Sequence, residues 1–188
     1  MLETELKSLI TKEIYDKVKS MYKWDSEKTQ ENHYYTDETG VLSKTRSVFR
    51  IRIKDGVPKI QVKTHKNYGS PLQICEENEF DCGGAPETVP AETGKRCTGL
   101  ETGTLTKIGF NATDRCSYMW DKNTEICLDK TEYLGVTDYE IEVEYTNDRP
   151  EELLSELKSA GVEFSAPSVG KYTRFVNRLR EILSAGGD

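Results

Sequence analysis

Histidine is nearly missing from this 188-residue chain: His33 and His65 are the only two, and neither is recognisably placed beside a cysteine. Thiol–imidazole catalysis therefore has no visible pair, and a surface or core role is expected for both rings. The five cysteines (Cys75, Cys82, Cys97, Cys116 and Cys127) lie far apart with no C-x-x-C, which argues against the close ligand pairs of a structural zinc site. Their odd count, without an apolar leader at the N-terminus, reads as reduced thiols and a cytoplasmic location. No stretch approaches the roughly 20 apolar residues of a membrane span, so no membrane partner is expected. Basic residues are not in excess either: 26 Lys and Arg against 33 Asp and Glu leave a net charge of −7. That argues against nucleic acid as a partner, because phosphate backbones reward a basic surplus.

What is present is a strong alternation. The length suits one domain over residues 1–188. In ETELK, Glu3, Glu5 and Lys7 would share one side of a strand, with Leu2, Thr4 and Leu6 on the other. Ile10, Ile14, Val18 and Met21 then recur at helical spacing, which predicts a helix from about Leu9 to Tyr22 with Ser8 or Thr11 as cap. The polar run from Asp25 to Asn32 reads as a loop, followed by a short strand in HYYTD that ends at a turn around Gly40. SVFRIRIK sets Arg50, Arg52 and Lys54 against Phe49, Ile51 and Ile53, and Asp55-Gly56 joins it as a hairpin to PKIQVKTH, where Gln61 and Lys63 oppose Ile60 and Val62. PLQICEENEFDC is a further strand with Cys75, Glu77, Glu79 and Asp81 on one side. Residues 83–104, poor in apolar side chains, are expected to connect two halves of one domain, with room for a short helix. Strands are expected again over 105–112, 113–120, 125–129 and 138–145. In the last of these Glu140, Glu142 and Glu144 alternate with Tyr139, Ile141, Val143 and Tyr145. Asp148 and Pro150 predict the start of a helix that Gly161 ends. Within 150–184, a final helix would put Tyr172, Phe175, Val176, Leu179, Ile182 and Leu183 on one stripe and Lys171, Arg174 and Arg178 on another.

An antiparallel sheet with one wet face would account for the alternation. The signs of the charges suggest something else. Arg50, Arg52 and Lys63 belong to neighbouring strands, and Glu3, Glu5, Glu140 and Glu142 to the two ends of the chain, whereas solvated faces usually mix signs. If the sheet closed with its charged face inward, the carboxylates would share a confined space. A like-charge pair about 5 Å apart then costs roughly 3 kcal/mol at an effective dielectric near 20. Hard oxygen ligands suit Mg²⁺ or Mn²⁺ as the neutralising ion, and arginine forks suit phosphate oxygens. On this reasoning Glu5→Gln should relieve repulsion and stabilise the metal-free chain.

The same residues resemble the CYTH superfamily, the triphosphate tunnel metalloenzymes. The E-x-E-x-K of Glu3, Glu5 and Lys7 opens the series. YYTD with Asp37, FRIRI with Arg50 and Arg52, QVK with Lys63 and CEENE with Glu77 and Glu79 follow. LDKTEYLGVTDYEIE, with Asp129, Glu140 and Glu142, and SVGKYTRF, with Ser168, Lys171 and Arg174, complete it in family order. The resemblance spans nearly the whole chain and implies an α+β fold: a closed eight-stranded antiparallel β-barrel with a charged interior and helices packed outside. It implies Mg²⁺ or Mn²⁺ held by Glu3, Glu5, Glu77, Glu79, Asp129, Glu140 and Glu142. It also implies a triphosphate held by Lys7, Arg50, Arg52, Lys63, Arg115, Lys171 and Arg174, with Lys7, Glu5 and Glu142 the catalytic group. The sequence departs from the family where a K-x-R strand is usual: Thr113 stands in for the lysine ahead of Arg115, and Lys107 is the nearest replacement. Glu144 is expected to be exposed at a strand end. For Lys171 and Arg174 a solvated helix face is the competing reading. The implied substrate is a triphosphate-containing small molecule, with inorganic tripolyphosphate favoured over thiamine triphosphate and ATP. Class IV adenylate cyclase and a non-catalytic polyphosphate or nucleotide sensor are the rival readings, and a homodimer is left open.

Overall fold

The computed structural model describes residues 2–67, 72–164 and 168–186, apart from the side chains of Leu2 and Glu3. Among these residues nine strands and five helices follow one another: β1 (Leu2–Ile10), α1 (Lys12–Met21), β2 (Ser26–Asp37), α2 (Val41–Lys44), β3 (Ser47–Lys54), β4 (Val57–His65), β5 (Leu72–Asp81), β6 (Thr88–Val89), α3 (Ala91–Thr98), β7 (Leu105–Asp121), β8 (Thr124–Tyr133), β9 (Val136–Tyr145), α4 (Glu151–Ser159) and α5 (Lys171–Ala185). Eight strands follow one another in the order β2-β3-β4-β5-β1-β9-β8-β7, and β7 pairs back onto β2. The antiparallel sheet is therefore a closed barrel, with the two-residue β6 appended to β7.

Local chemistry sets several of these boundaries. The Thr11 hydroxyl accepts from the Ile14 amide and caps α1. The helix starts later than its apolar spacing suggested, because Leu9 and Ile10 stay in β1, paired with Glu140 and Tyr139. Asp55 and Gly56 both have positive φ, 54° and 75°, the twist a two-residue hairpin needs. The segment 83–104 contains β6 and the short helix α3.

Two further expected boundaries are corrected. The polar run 25–32 is mostly strand: β2 begins at Ser26 and pairs with β7 from its first residue. It looked like a loop because Gln30 and Asn32 are polar, yet both are buried in the barrel interior. Likewise, the two strands expected over 105–120 are one 17-residue strand, β7.

Apolar side chains lie outside the ring, under the helices. One cluster joins α1 and α4 to β1, β8 and β9 through Val18, Leu153, Leu157, Leu6, Leu128 and Ile141. A second places Leu42 of α2 and Cys97 of α3 against Phe49, Ile51 and Ile60. A third seats α5 across one mouth of the barrel, where Phe175 is fully buried against Tyr34 and Tyr133. Gly109 makes that seat possible: its φ is +135°, and an added Cβ would stand 2.6 Å from the Phe175 ring. The α5 stripe packs only in part, since Ile182 and Leu183 are exposed. No helix among the described residues is long and apolar enough to cross a membrane.

Candidate active site

The barrel interior is the charged face. A cavity of about 1000 Å³ passes through it and out past α5, lined by Glu5, Lys7, Arg50, Arg52, Lys63, Glu77, Arg115, Glu142, Glu144 and Lys171, among others. Register explains the convergence. Glu5 pairs with Glu144 and Lys7 with Glu142 across β1 and β9, while Asp129 pairs with Arg115 on one side and Glu140 on the other. Two groups of carboxylates have oxygens within 4.8 Å of one another: Glu5, Glu142 and Glu144, and Asp129, Glu140 and Glu142. Glu142 belongs to both. All except Glu144 are buried. A donor set made only of carboxylate oxygens fits a hard divalent cation such as Mg²⁺ or Mn²⁺.

Cations are threaded through these carboxylates. Lys7 Nζ lies 2.8 Å from Glu5 and 3.4 Å from Glu142, and Lys63 Nζ lies 3.5 Å from Glu5. Burial pushes the Glu5 carboxyl up, but Lys7 and Lys63 outweigh it and hold the group below its usual range. The expected repulsion is thus already offset inside the protein, which reverses the predicted sign for Glu5→Gln. Glu142 follows the same logic more strongly: against the cost of burial, Lys171, Arg115 and Lys7 hold it well below the ordinary value. Arg115 grips Asp129 with two nitrogens, at 2.8 and 2.6 Å. Lys171 reaches from α5 to Asp129 and Glu142, each at 2.8 Å, and to Glu140. Arg174 bonds Asp138 at 2.8 Å and Glu140 at 2.7 Å. Lys171 therefore lines the cavity and Arg174 is half-buried against Asp138 and Glu140, so neither lies on a solvated helix face.

Arg52 is different. It is half-buried, its Nε donates to Asn32 Oδ1 at 2.9 Å, and among the described residues no carboxylate lies within ion-pair distance of it. Burial, followed by the nearby charges of Arg50 and Arg115, pushes its guanidinium down to about 9. Arg52 also lines the cavity, where its guanidinium has the charge and planar shape that suit the oxygens of an anion. Asn32 is held in turn by Asn111, and Asn111 by the Tyr34 hydroxyl, so the fork is fixed from behind. Arg50 donates to Gln61 and lies 3.7 Å from Glu77.

Several expected site residues take other places. Glu79 is about half exposed and accepts from Gln61, apart from the convergent carboxylates. Glu77 lines the cavity but faces Arg50 and Lys63, not the two acidic groups. The Glu3 side chain lies outside the described residues, although its backbone pairs with Cys75. Lys107 does not replace the missing lysine: it pairs with Glu87 at 2.8 Å, and Thr113 bonds Thr131 inside the barrel. Asp37 accepts from the Val41 and Leu42 amides and the Thr39 hydroxyl, which makes it the anchor of α2. Sequence reasoning missed Glu144, which its period-two step with Glu140 and Glu142 could have placed inside. It also missed His65, whose ring lies 3.2 Å from the Cys75 sulfur on the tunnel wall. No local motif signals that pair, because two different strands supply it.

Comparison with known proteins agrees with this fold. A model of the CYTH domain matches residues 1–166. The Bacillus subtilis protein YjbK, provisionally named a triphosphatase, is 27% identical over 148 residues, covering 76% of this chain and 77% of its own. A solved structure from Bacillus halodurans, provisionally named an adenylate cyclase, is 25% identical with a TM-score of 0.70, covering 92% of this chain and 96% of its own. A Hippeastrum protein, provisionally named an adenylyl cyclase and described as having a dominant triphosphatase activity, shares the fold with a TM-score of 0.74 at 20% identity, over 93% of this chain and 95% of its own.

Proposed function

The chain belongs to the CYTH domain family, and we propose that it hydrolyses a phosphoanhydride bond of a triphosphate in a divalent-metal-dependent reaction, with inorganic tripolyphosphate as the minimal substrate. The observation that supports this best is the division of the tunnel wall. On one side stands the half-buried Arg52, with no carboxylate in ion-pair distance among the described residues, and on the other five carboxylates converge. In this reading Arg52 takes phosphate oxygens through its fork, with Arg50 and Lys63 beside it. Glu5, Glu142 and Glu144, or Asp129, Glu140 and Glu142, would hold Mg²⁺ or Mn²⁺. When bound, the ion would neutralise charge on the phosphate oxygens. Lys7, between Glu5 and Glu142, stays protonated, because those carboxylates hold its pKa well above the usual value despite burial. It can orient a phosphate oxygen without giving up its proton. The triphosphatase name of YjbK is consistent with this chemistry.

The test is phosphate release from tripolyphosphate, thiamine triphosphate and ATP in parallel, with EDTA and with added Mg²⁺ or Mn²⁺. Turnover of tripolyphosphate that chelator abolishes and either metal restores is expected. Full activity in EDTA would remove the metal from the reading. Tight binding without release from any of the three would replace the enzyme with a sensor, and cyclic AMP formed from ATP would make it a cyclase.

A further inference from the structure

Two polar ladders leave β3 in opposite directions around the barrel, and each begins at an arginine. Arg52 stands directly across from Asn32 of β2, and Asn32 directly across from Asn111 of β7. On the other side Arg50 is opposite Gln61 of β4, and Gln61 is opposite Glu79 of β5. The side chains follow that register. Arg52 Nε donates to Asn32 Oδ1 at 2.9 Å, Asn32 Nδ2 to Asn111 Oδ1 at 3.0 Å, and Asn111 Nδ2 to the Tyr34 hydroxyl at 2.9 Å. Arg50 Nε donates to Gln61 Oε1 at 2.9 Å, and Gln61 Nε2 to Glu79 at 3.0 Å. A guanidinium can only donate, so each amide must show it an oxygen and turn its NH₂ group to the next acceptor.

Both arginines line the cavity, whereas Asn32, Gln61, Asn111 and Tyr34 are buried. With Nε tied to the neighbouring strand, the edge made by Nη1 and Nη2 is the one left to fork onto two oxygens. The charge of the tie matters as much as its direction. Lys7, Arg115, Lys171 and Arg174 each have a carboxylate at 2.8 Å or closer. Arg50 and Arg52 have an uncharged amide at 2.9 Å instead, with Glu77 at 3.7 Å from Arg50. An amide oxygen accepts the hydrogen bond without cancelling the positive charge. The need to pair buried polar groups would account for either amide alone. It does not require that both arginines use Nε, nor that both partners be neutral.

We propose that Asn32 and Gln61 are positioning residues for the triphosphate: they aim the Arg52 and Arg50 forks and, being uncharged, leave the guanidinium charge to phosphate. Asn111 and Tyr34 hold Asn32 in turn, and the Tyr34 ring is seated against Tyr172 and Phe175 of α5. This role rests on the triphosphatase reading above and adds residues that act only through the arginines. Asn32→Asp keeps the shape and the acceptor oxygen but adds a charge. Asn111 can turn its amide over, donating to the new carboxylate and accepting from Tyr34, so the ladder survives. The experiment measures kcat and KM for tripolyphosphate, and Tm in EDTA, in the full chain. It compares wild type, Asn32→Asp and Asn32→Ala, the last also in an Arg52→Lys background. Asn32→Asp should raise KM at least tenfold without lowering Tm, because the carboxylate pairs with Arg52 in competition with phosphate. A merely structural role would lower Tm and leave KM within twofold. Asn32→Ala should lower kcat/KM at least fivefold when Arg52 is present, but less than twofold once Arg52→Lys has removed the Nε donor. Equal losses in both backgrounds overturn the role. If Asn32→Ala does not fold, Gln61→Met with Arg50→Lys replaces that pair, with the same expectations. If wild type cleaves no tripolyphosphate, the triphosphatase reading falls, and calorimetry with tripolyphosphate as probe reads the positioning. Weaker binding in Asn32→Asp supports it, and equal affinity, or no binding by wild type, refutes it.

Discussion

Glu5→Gln separates two accounts of the tunnel that differ in sign. If the carboxylates mainly repel one another, removing a charge should stabilise the metal-free protein. The structure argues the opposite, because Glu5 lies 2.8 Å from Lys7 and 3.5 Å from Lys63 and its carboxyl is held below 4.5 in spite of burial. Glutamine keeps the shape and one acceptor oxygen but not the charge. Lys7 retains Glu142 at 3.4 Å, so the loss is smaller than the 3–5 kcal/mol of a wholly broken buried pair. About 2 kcal/mol is expected, near that of one hydrogen bond between charged groups. For a chain of this length that lowers Tm by about 4–8 °C. The assay is thermal unfolding in EDTA at pH 7, repeated in acid. A carboxyl with a depressed folded-state pKa stabilises the fold above its unfolded value of 4.5 and loses that contribution as pH falls through the folded value. The gap between variant and wild type should therefore close on acidification. A variant that melts higher than wild type in EDTA at pH 7 would refute the reasoning, since repulsion would then dominate.

Arg52→Lys keeps a charge but loses the planar fork. We expect kcat/KM to fall at least about tenfold, or about 1.4 kcal/mol, on tripolyphosphate and ATP alike; unchanged kinetics on both would take Arg52 off the phosphates. Gly109→Ala places a Cβ 2.6 Å from Phe175 at a φ of +135°. It should cost about 1–3 kcal/mol and expose α5 to trypsin, and wild-type melting would contradict the docking of that helix. Asp37→Asn removes the charged acceptor of the Val41 and Leu42 amides and should destabilise by about 1–2 kcal/mol at pH 7. Burial pushes the Asp37 carboxyl up, but Thr39 and those amides hold it below 3.8. Its contribution should thus fade as pH drops below that value, and a difference that persists unchanged at pH 2 would refute the capping role.

The alternation of charge and apolar side chain was enough to place Glu5, Lys7, Arg50, Arg52, Lys63, Glu140 and Glu142 on one face. Period two depends only on the backbone, so any strand built from those residues must sort them that way. The same rule misled where the interior was polar and uncharged: Gln30 and Asn32 looked like loop residues because hydropathy alone cannot tell a wet surface from a wet tunnel. What sequence could not supply was pairing between distant strands. The joining of β2 to β7 closes the barrel, the register of β1 against β9 puts Lys7 opposite Glu142, and α5 brings Lys171 back to Asp129. Those contacts decide whether the carboxylates repel or are neutralised, and they join residues that lie far apart in the chain, as Lys7 and Glu142 do at a separation of 135. Sequence sorted most of the charged strand side chains onto the inward face. Only the tertiary structure decided which of them meet, because charges interact through space and their spacing along the chain does not fix it.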